Sequence, residues 1–171
     1  MEKLKQNYTS HRWSMEIPDC SMPMSMDTYS KCAYNCLYCF AFIQKSHTLK
    51  GYTGKNGDPV GVRSVNPQKV IGLFEKALRN DQNASDSEKQ FYPYIQSRRI
   101  MQWGGLADEF DEWERRLGVT LELLQYFDKI DYPLSFSTKA AWWTEDERYM
   151  SLFRKHAHNW HVKISIITAD E

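Results

Sequence analysis

The stretch Cys32-Ala33-Tyr34-Asn35-Cys36-Leu37-Tyr38-Cys39 decides how the rest of the chain is read. Three thiols fall within eight residues, separated by three and then two residues. A run this tight can wrap the backbone around one inorganic centre. Cysteine thiolates are the usual ligands of iron–sulfur clusters and of structural zinc. The odd number of thiols is informative. A cubane of four irons held by three cysteines keeps one iron open, and an open position separates a reactive metal centre from a closed structural one. Two closed alternatives stand beside it. Cys20, with eleven residues between it and Cys32, would be the fourth ligand of a zinc knot, although zinc sites more often come as two separated pairs. A four-cysteine ferredoxin-type cluster is the other, and its spacings differ from these. The spacing favours the three-cysteine site and leaves Cys20 as an ordinary thiol.

Composition sets the frame around this run. The 171 residues suit one domain of ordinary size, with 42% hydrophobic and 26% charged residues. The formal net charge is zero, so no global field draws the chain to nucleic acid or to an anionic membrane. No run approaches the roughly 20 apolar residues that span a bilayer, and the polar start, Met1 to Ser10, lacks the apolar core of a signal peptide. Four cysteines, three of them clustered, are not a secreted disulfide framework. The expected compartment is the reducing cytoplasm, which also suits an oxygen-labile cluster.

Outward from the cysteines, residues 1–23 read as a leader and 24–171 as the core. Met22, Met24 and Met26 alternate and read as a strand face or loop packing rather than a copper site. Met24 to Tyr29 forms a first strand, and Phe40 to Gln44 has the apolar density of a helix start. Gly51, Gly54, Gly57 and Pro59 break regular structure and suggest a loop over the site. Asn66-Pro67 opens a helix to about Arg79 or Asn80, with Val70, Ile71, Phe74 and Leu78 on one face. Residues Asp81 to Gln90 read as a surface loop. Arg99 to Trp103 is the second strand, ended by Gly104-Gly105, where a backbone or ligand can approach closely. Asp108, Glu109, Asp111, Glu112 and Glu114 follow, a run read as a solvated loop or a helix N-terminal turn. Val119 to Phe127 is helical. Leu134 to Thr138 is the third strand, with Lys139 at its end. Thr144-Glu145-Asp146-Glu147 reads as a capping box that starts a helix to about His156, with Tyr149, Leu152 and Phe153 inward. Val162 to Thr168 is the fourth strand, with Ser165 inside it.

Strands and helices therefore alternate, which implies parallel strands with right-handed crossovers. Ligands of such sheets bind at the carboxyl ends of the strands. The cysteine loop, Gly104-Gly105, Lys139 and Ser165 all fall on that rim. Several residues also have plain readings. Lys139 alone is a solvated lysine, and Ser165 alone a strand serine bonded to its own sheet. His156, His158 and His161 suggest a metal cluster, yet His156 and His158 lie two apart near a helix end, are expected to face different ways, and suit the helix C-terminus. Trp142-Trp143 could stack on a base, but paired aromatics are more often core and rim packing.

C-x3-C-x2-C with Tyr38 before the last cysteine and Phe40 after it resembles the radical S-adenosylmethionine (SAM) superfamily. The resemblance runs from about Met24 onward. From Met101 it is most similar to the spore photoproduct lyase-like (DNA repair photolyase) branch. The residues that carry it are Gly104-Gly105-Leu106-Ala107-Asp108, Gly118-Val119-Thr120 before Leu123-Leu124, Ser137-Thr138-Lys139 and Ile164-Ser165-Ile166-Ile167-Thr168. The resemblance implies a partial parallel (β/α) barrel of about four β/α units. It implies a [4Fe-4S] cluster on Cys32, Cys36 and Cys39 whose open iron binds SAM, and reductive cleavage of SAM to a 5′-deoxyadenosyl radical that abstracts hydrogen from a substrate. It further implies Gly104 and Gly105 near the SAM amino group, Asp108 as the polar member, beside Ala107, of a SAM-contacting pair, Lys139 on the SAM carboxylate, Ser165 near its ribose and the Tyr38 backbone at adenine. An external electron donor of flavodoxin or ferredoxin type is implied, and nucleic acid as substrate by the branch alone. Gly105, Leu106 and Ala107 stand where the lyase has its hydrogen-donor cysteine, which speaks against that repair chemistry. Barrels of this kind have about six units, so a fragment, a second chain that completes the barrel, or self-association is expected. The rival readings are a non-catalytic metal-binding module, with zinc or a cluster, and a degenerate fragment that binds a cluster without turnover.

Overall fold

Four short strands lie side by side because their alternate residues are large and apolar. The computed structural model describes residues 4–8, 12–13, 22–34, 36–39, 41 and 61–166. Strand β1 is Arg12–Trp13, β2 Met24–Met26, β3 Met101–Trp103, β4 Leu134–Thr138 and β5 Trp160–Ile164. The order is β1-β2-β3-β4-β5, with β1 antiparallel on β2 and the other four parallel. This mixed α/β sheet is open: among the described residues β5 pairs with β4 alone. Ile164 and Ile166 at its end are exposed.

The register explains the two faces. Met24, Met101, Leu134 and Trp160 stand level across the sheet, and Met26, Trp103, Phe136 and Val162 form the next row on the same side. The helices cover this side. Helix α1 (Pro67–Leu78) brings Phe74, α5 (Val119–Lys129) brings Phe127 against Trp103, and α6 (Glu147–Lys155) brings Phe153 against Phe136 and Trp160. Truncating one of these buried rings costs about 3–5 kcal/mol. The opposite side carries Ser25, Gln102, Ser135, Ser137, His161 and Lys163. Gln102 donates to Ser137 Oγ at 3.0 Å, and Lys163 Nζ to Gln102 Oε1 at 3.2 Å. The sheet is thus apolar where helices pack and polar where they do not.

Helix α1 starts as expected. Asn66 caps it, its side chain accepting from Gln68 and Lys69 N–H at 3.0 and 3.4 Å, and Pro67 is the first residue. Its buried stripe is Val70, Leu73, Phe74 and Ala77, not the expected stripe through Ile71 and Leu78, and Leu78 is exposed. The surface loop expected over 81–90 contains a short helix, α2 (Asp86–Lys89), with a capping box between Ser85 and Glu88. A second, α3 (Tyr92–Gln96), follows it. Polar composition hid the cap. The capping box expected at Thr144 is replaced by a 3-10 turn over Trp142–Glu145. Thr144 Oγ1 donates back to the Ala141 carbonyl, and Asp146 caps α6 instead, accepting from Arg148 N–H at 3.0 Å. Trp142 and Trp143 pack as expected, Trp143 stacking on Phe110 with centroids 5.0 Å apart.

Two strand boundaries also move. The first strand ends at Met26 rather than Tyr29, because Asp27 leaves the ladder to accept the Leu106 and Ala107 N–H groups at 2.7 and 3.0 Å. The last strand begins at Trp160, two residues before Val162, and ends at Ile164. Ser165 therefore lies just past the strand, its N–H still donating to the Thr138 carbonyl at 2.9 Å. The expected helix at 40–44, apart from the helical Ala41, and the glycines of 51–57 lie outside the described residues, as do Cys20 and residues 167–171.

Candidate functional site

A cavity of about 240 Å³ opens at the carboxyl ends of the strands. Cys32, Cys36, Cys39, Tyr38, Gly104, Gly105, Asp108, Lys139 and Ser165 all line it. Residues up to 133 positions apart in sequence (Cys32 and Ser165) meet there because β2, β3, β4 and β5 are parallel and end together.

The three cysteines are free thiols and half-buried. The Cys36 carbonyl accepts the Cys39 N–H at 3.0 Å, closing the second half of the run into a tight turn. Burial pushes the Cys32 thiol up from its ordinary value, and backbone N–H groups of Asp108 and Tyr34, hydrogen-bonded to its sulfur, pull it back down. Such N–H···S bonds are what a protein uses to tune a cluster bound through the same sulfur. The donor set fits an iron–sulfur centre: three thiols on one loop, at the mouth of a cavity. Asp131, His156 and His158, not the cysteines, form the one group of three side chains among the described residues tight enough for a single ion. A cubane does not need that tightness, since each thiolate binds its own iron.

Gly104 has a structural reason to be glycine. Its φ is +90°, and a Cβ there would stand 2.7 Å from the Ser137 carbonyl oxygen. Close contact between the β3 and β4 ends therefore demands it, whatever the cavity holds. Lys139 places its Nζ 5.2 Å from the Tyr38 ring centroid. Hydrogen bonding to Tyr38 is the main influence holding its ammonium above the usual lysine range, with the Cys36 and Asp108 charges adding to it. Tyr38 and Ser165 are exposed.

The carboxylates behind the cavity depart most from expectation. Asp108, Glu109, Asp111 and Glu114 are 6, 0, 0 and 1% exposed, so four carboxylates of the run read as a solvated loop or helix turn face inward, and Glu112 is the exposed one. Only the helix-turn part holds: Asp111 caps α4 (Glu112–Leu117), accepting from Trp113 N–H at 2.9 Å. Each buried carboxylate takes backbone or hydroxyl donors from a different part of the chain. Asp108 accepts from Phe110 N–H at 3.0 Å, Thr138 Oγ1 at 2.7 Å and Lys139 N–H at 2.6 Å. Glu109 accepts from Thr28 N–H at 2.6 Å, and Asp111 from Ala33 N–H at 2.7 Å. Glu114 accepts from Tyr29 and Tyr149 hydroxyls, both at 2.6 Å, and from the Thr120 and Leu121 N–H groups that open α5, at 2.7 and 2.9 Å. Burial is the leading cause that raises all four carboxyls, Asp111 to about 6. For Glu109 the neighbouring Asp27 charge adds to it, and its second oxygen has no partner among the described residues.

Asp108 is thus a positioning residue. Its carboxylate takes three donors from the chain, its backbone N–H meets Cys32 and its side chain holds the Lys139 backbone. Asp27, Glu109 and Asp111, which fix the segments on either side of Cys32, were not singled out in the sequence. The available signal was an acidic run without a basic residue, interleaved with Phe110 and Trp113.

His156 and His158 do meet, contrary to the two-residue spacing. His156 caps α6 while His158 lies in the turn beyond it, and their ring centroids stand 6.0 Å apart against Asp131. Among the described residues no helix is long and apolar enough to cross a membrane. Comparison with family models, with curated proteins and with solved structures gives no match to this chain.

Proposed function

We propose that the cavity is a radical SAM site, in which Cys32, Cys36 and Cys39 hold a [4Fe-4S] cluster and the chain forms part of a parallel (β/α) barrel. The observation that carries this reading is the convergence of the C-x3-C-x2-C loop with Gly104, Gly105, Lys139 and Ser165 on one cavity. When bound and reduced, the cluster supplies the electron that splits SAM into methionine and a 5′-deoxyadenosyl radical for hydrogen abstraction.

The chain's own residues then have separate tasks. Gly104 and Gly105 leave backbone room beside the amino group of SAM. The Lys139 ammonium moves from the Tyr38 ring to the incoming carboxylate, a charge-assisted contact. The Tyr38 backbone meets adenine, and the Ser165 hydroxyl meets the ribose. Asp108 keeps Lys139 and Cys32 in register. The polar side of the sheet, with Gln102, Ser137 and Lys163 already hydrogen-bonded together, faces a substrate that offers hydrogen-bonding groups. The electron comes from a flavodoxin- or ferredoxin-type donor, in the cytoplasm.

The test is anaerobic reconstitution with iron and sulfide, followed by electron paramagnetic resonance of the reduced protein. The reading expects about four irons per chain and a spectrum that changes when SAM is added. Cys36→Ala should lose both. A colourless protein holding a zinc that Cys36→Ala releases would instead favour the metal-binding module.

A further inference from the structure

The amino end of the sheet carries a second set of ligating side chains, which the cavity at the other end does not use. Asp131 stands in the turn before β4, and His156 and His158 stand in the turn before β5. His156 Nδ1 lies 3.1 Å from Asp131 Oδ1, and His158 Nε2 lies 3.6 Å from the same oxygen. All three ligand atoms fall within 4.8 Å of one another. A second carboxylate completes the arrangement: Asp128 Oδ1 is 2.7 Å from His156 Nε2. The His156 ring is buried and stacked on Trp160 at 4.4 Å, so it is fixed in orientation.

Both nitrogens of His156 therefore face carboxylate oxygens. A neutral imidazole has one N–H. If Nε2–H donates to Asp128, the Nδ1 lone pair points at Asp131 Oδ1, and a second proton on the ring or a bound cation removes the repulsion. Metal-bound histidines have this arrangement, with the far N–H given to a carboxylate. The other charged and polar neighbours leave room for an ion. Arg98 approaches Asp131 Oδ2 at 3.6 Å rather than Oδ1. Asn159 Nδ2 donates to Oδ1 at 2.9 Å, which leaves that oxygen a second lone pair. Lys155 Nζ contacts Asp128 at 2.5 Å, away from the would-be ion. Asp131 and His158 are exposed, so a water can take a fourth position.

We propose that Asp131, His156 and His158 bind a divalent transition ion of zinc type, with Asp128 orienting His156. Two imidazoles, a carboxylate and a water make a tetrahedral set of borderline donors. The ion would clip the turn before β4 to the turn before β5. Five-residue strands put this site about 15–20 Å from the cysteine cavity, and the proposal does not depend on what that cavity binds.

The experiment is titration of the full chain with zinc, followed by calorimetry, and with cobalt, followed by visible spectroscopy. Cys32→Ser, Cys36→Ser and Cys39→Ser are combined to remove the clustered thiols. One zinc per chain is expected, with cobalt giving the intense visible d–d bands of a tetrahedral site and no sulfur charge-transfer band. His158→Ala and Asp131→Asn should each abolish this binding while the circular dichroism of the fold is kept. Asp128→Asn should weaken it about 10- to 100-fold, and His161→Ala should leave it unchanged. Absence of saturable zinc binding, or binding that survives both His158→Ala and Asp131→Asn, overturns the proposal.

Discussion

The two ends of the sheet use carboxylates in opposite ways. At the carboxyl end, Asp108, Glu109, Asp111 and Glu114 are buried and take backbone N–H and hydroxyl donors, with no side-chain cation bonded to them among the described residues. Burial raises them. At the amino end, Asp128 and Asp131 lie nearer solvent beside Lys155, His156, Asn159 and Arg98. Hydrogen bonds from Lys155 and His156 hold Asp128 below the usual range, and a bond from Asn159 does the same for Asp131. The difference shows what each end requires. The carboxyl end must fix loops that follow three strands around a cavity, so its carboxylates tie down backbone. The amino end joins two turns and does so through side chains that can also take an ion.

The largest effect should come from Glu114, which ties Tyr29, Tyr149 and the start of α5 together. Glu114→Gln puts an NH2 group where only donors point, and should cost about 3 kcal/mol of unfolding free energy in urea. A loss below about 0.5 kcal/mol would mean that the buried network is not structural. Gly104→Ala should cost about 2 kcal/mol, from the left-handed backbone and from the Ser137 carbonyl. Thermal unfolding reads this directly, and an unchanged melting temperature would contradict the close approach of the β3 and β4 ends.

The pH dependences sharpen the contrast, because the signs differ. A buried acid whose folded value is raised contributes stability below its unfolded value and loses it as pH rises through the folded one. For Asp111 that window runs from the ordinary aspartate value of 3.8 to about 6. Asp111→Asn should flatten the fall in melting temperature across it. Asp128 is lowered, so its stability is present above 3.8 and is lost as pH falls through its folded value. Asp128→Asn should flatten the acid limb instead, and the same slope change from both variants would erase the distinction between the ends. The smallest effect on stability should come from Lys139→Met, within about 0.5 kcal/mol. Its SAM affinity, by equilibrium dialysis, should nonetheless fall about 10-fold or more.

Much of this was legible in the sequence where local rules act alone. Asn66-Pro67 announced α1, Leu134 to Thr138 matched β4 to the residue, and the alternation of strands and helices gave the parallel sheet. The cysteine spacing and the residues after each strand named the cavity lining, since strand ends converge in any parallel sheet. What stayed hidden depends on distant partners. The run from Asp108 to Glu114 looks solvated until Thr28, Ala33, Tyr149 and Lys139 supply donors from elsewhere. Asp27 reads as strand until Leu106 and Ala107 draw its carboxylate away. The meeting of His156 and His158 required the turn after α6, which two-residue spacing on a helix does not describe.

We propose that the cysteine cavity supports radical chemistry. The direct measurement is 5′-deoxyadenosine formed from SAM by the anaerobically reconstituted and reduced chain, with Cys36→Ala beside it. The wild type should form product and the variant none. A protein that holds the cluster but yields no 5′-deoxyadenosine would contradict the proposal.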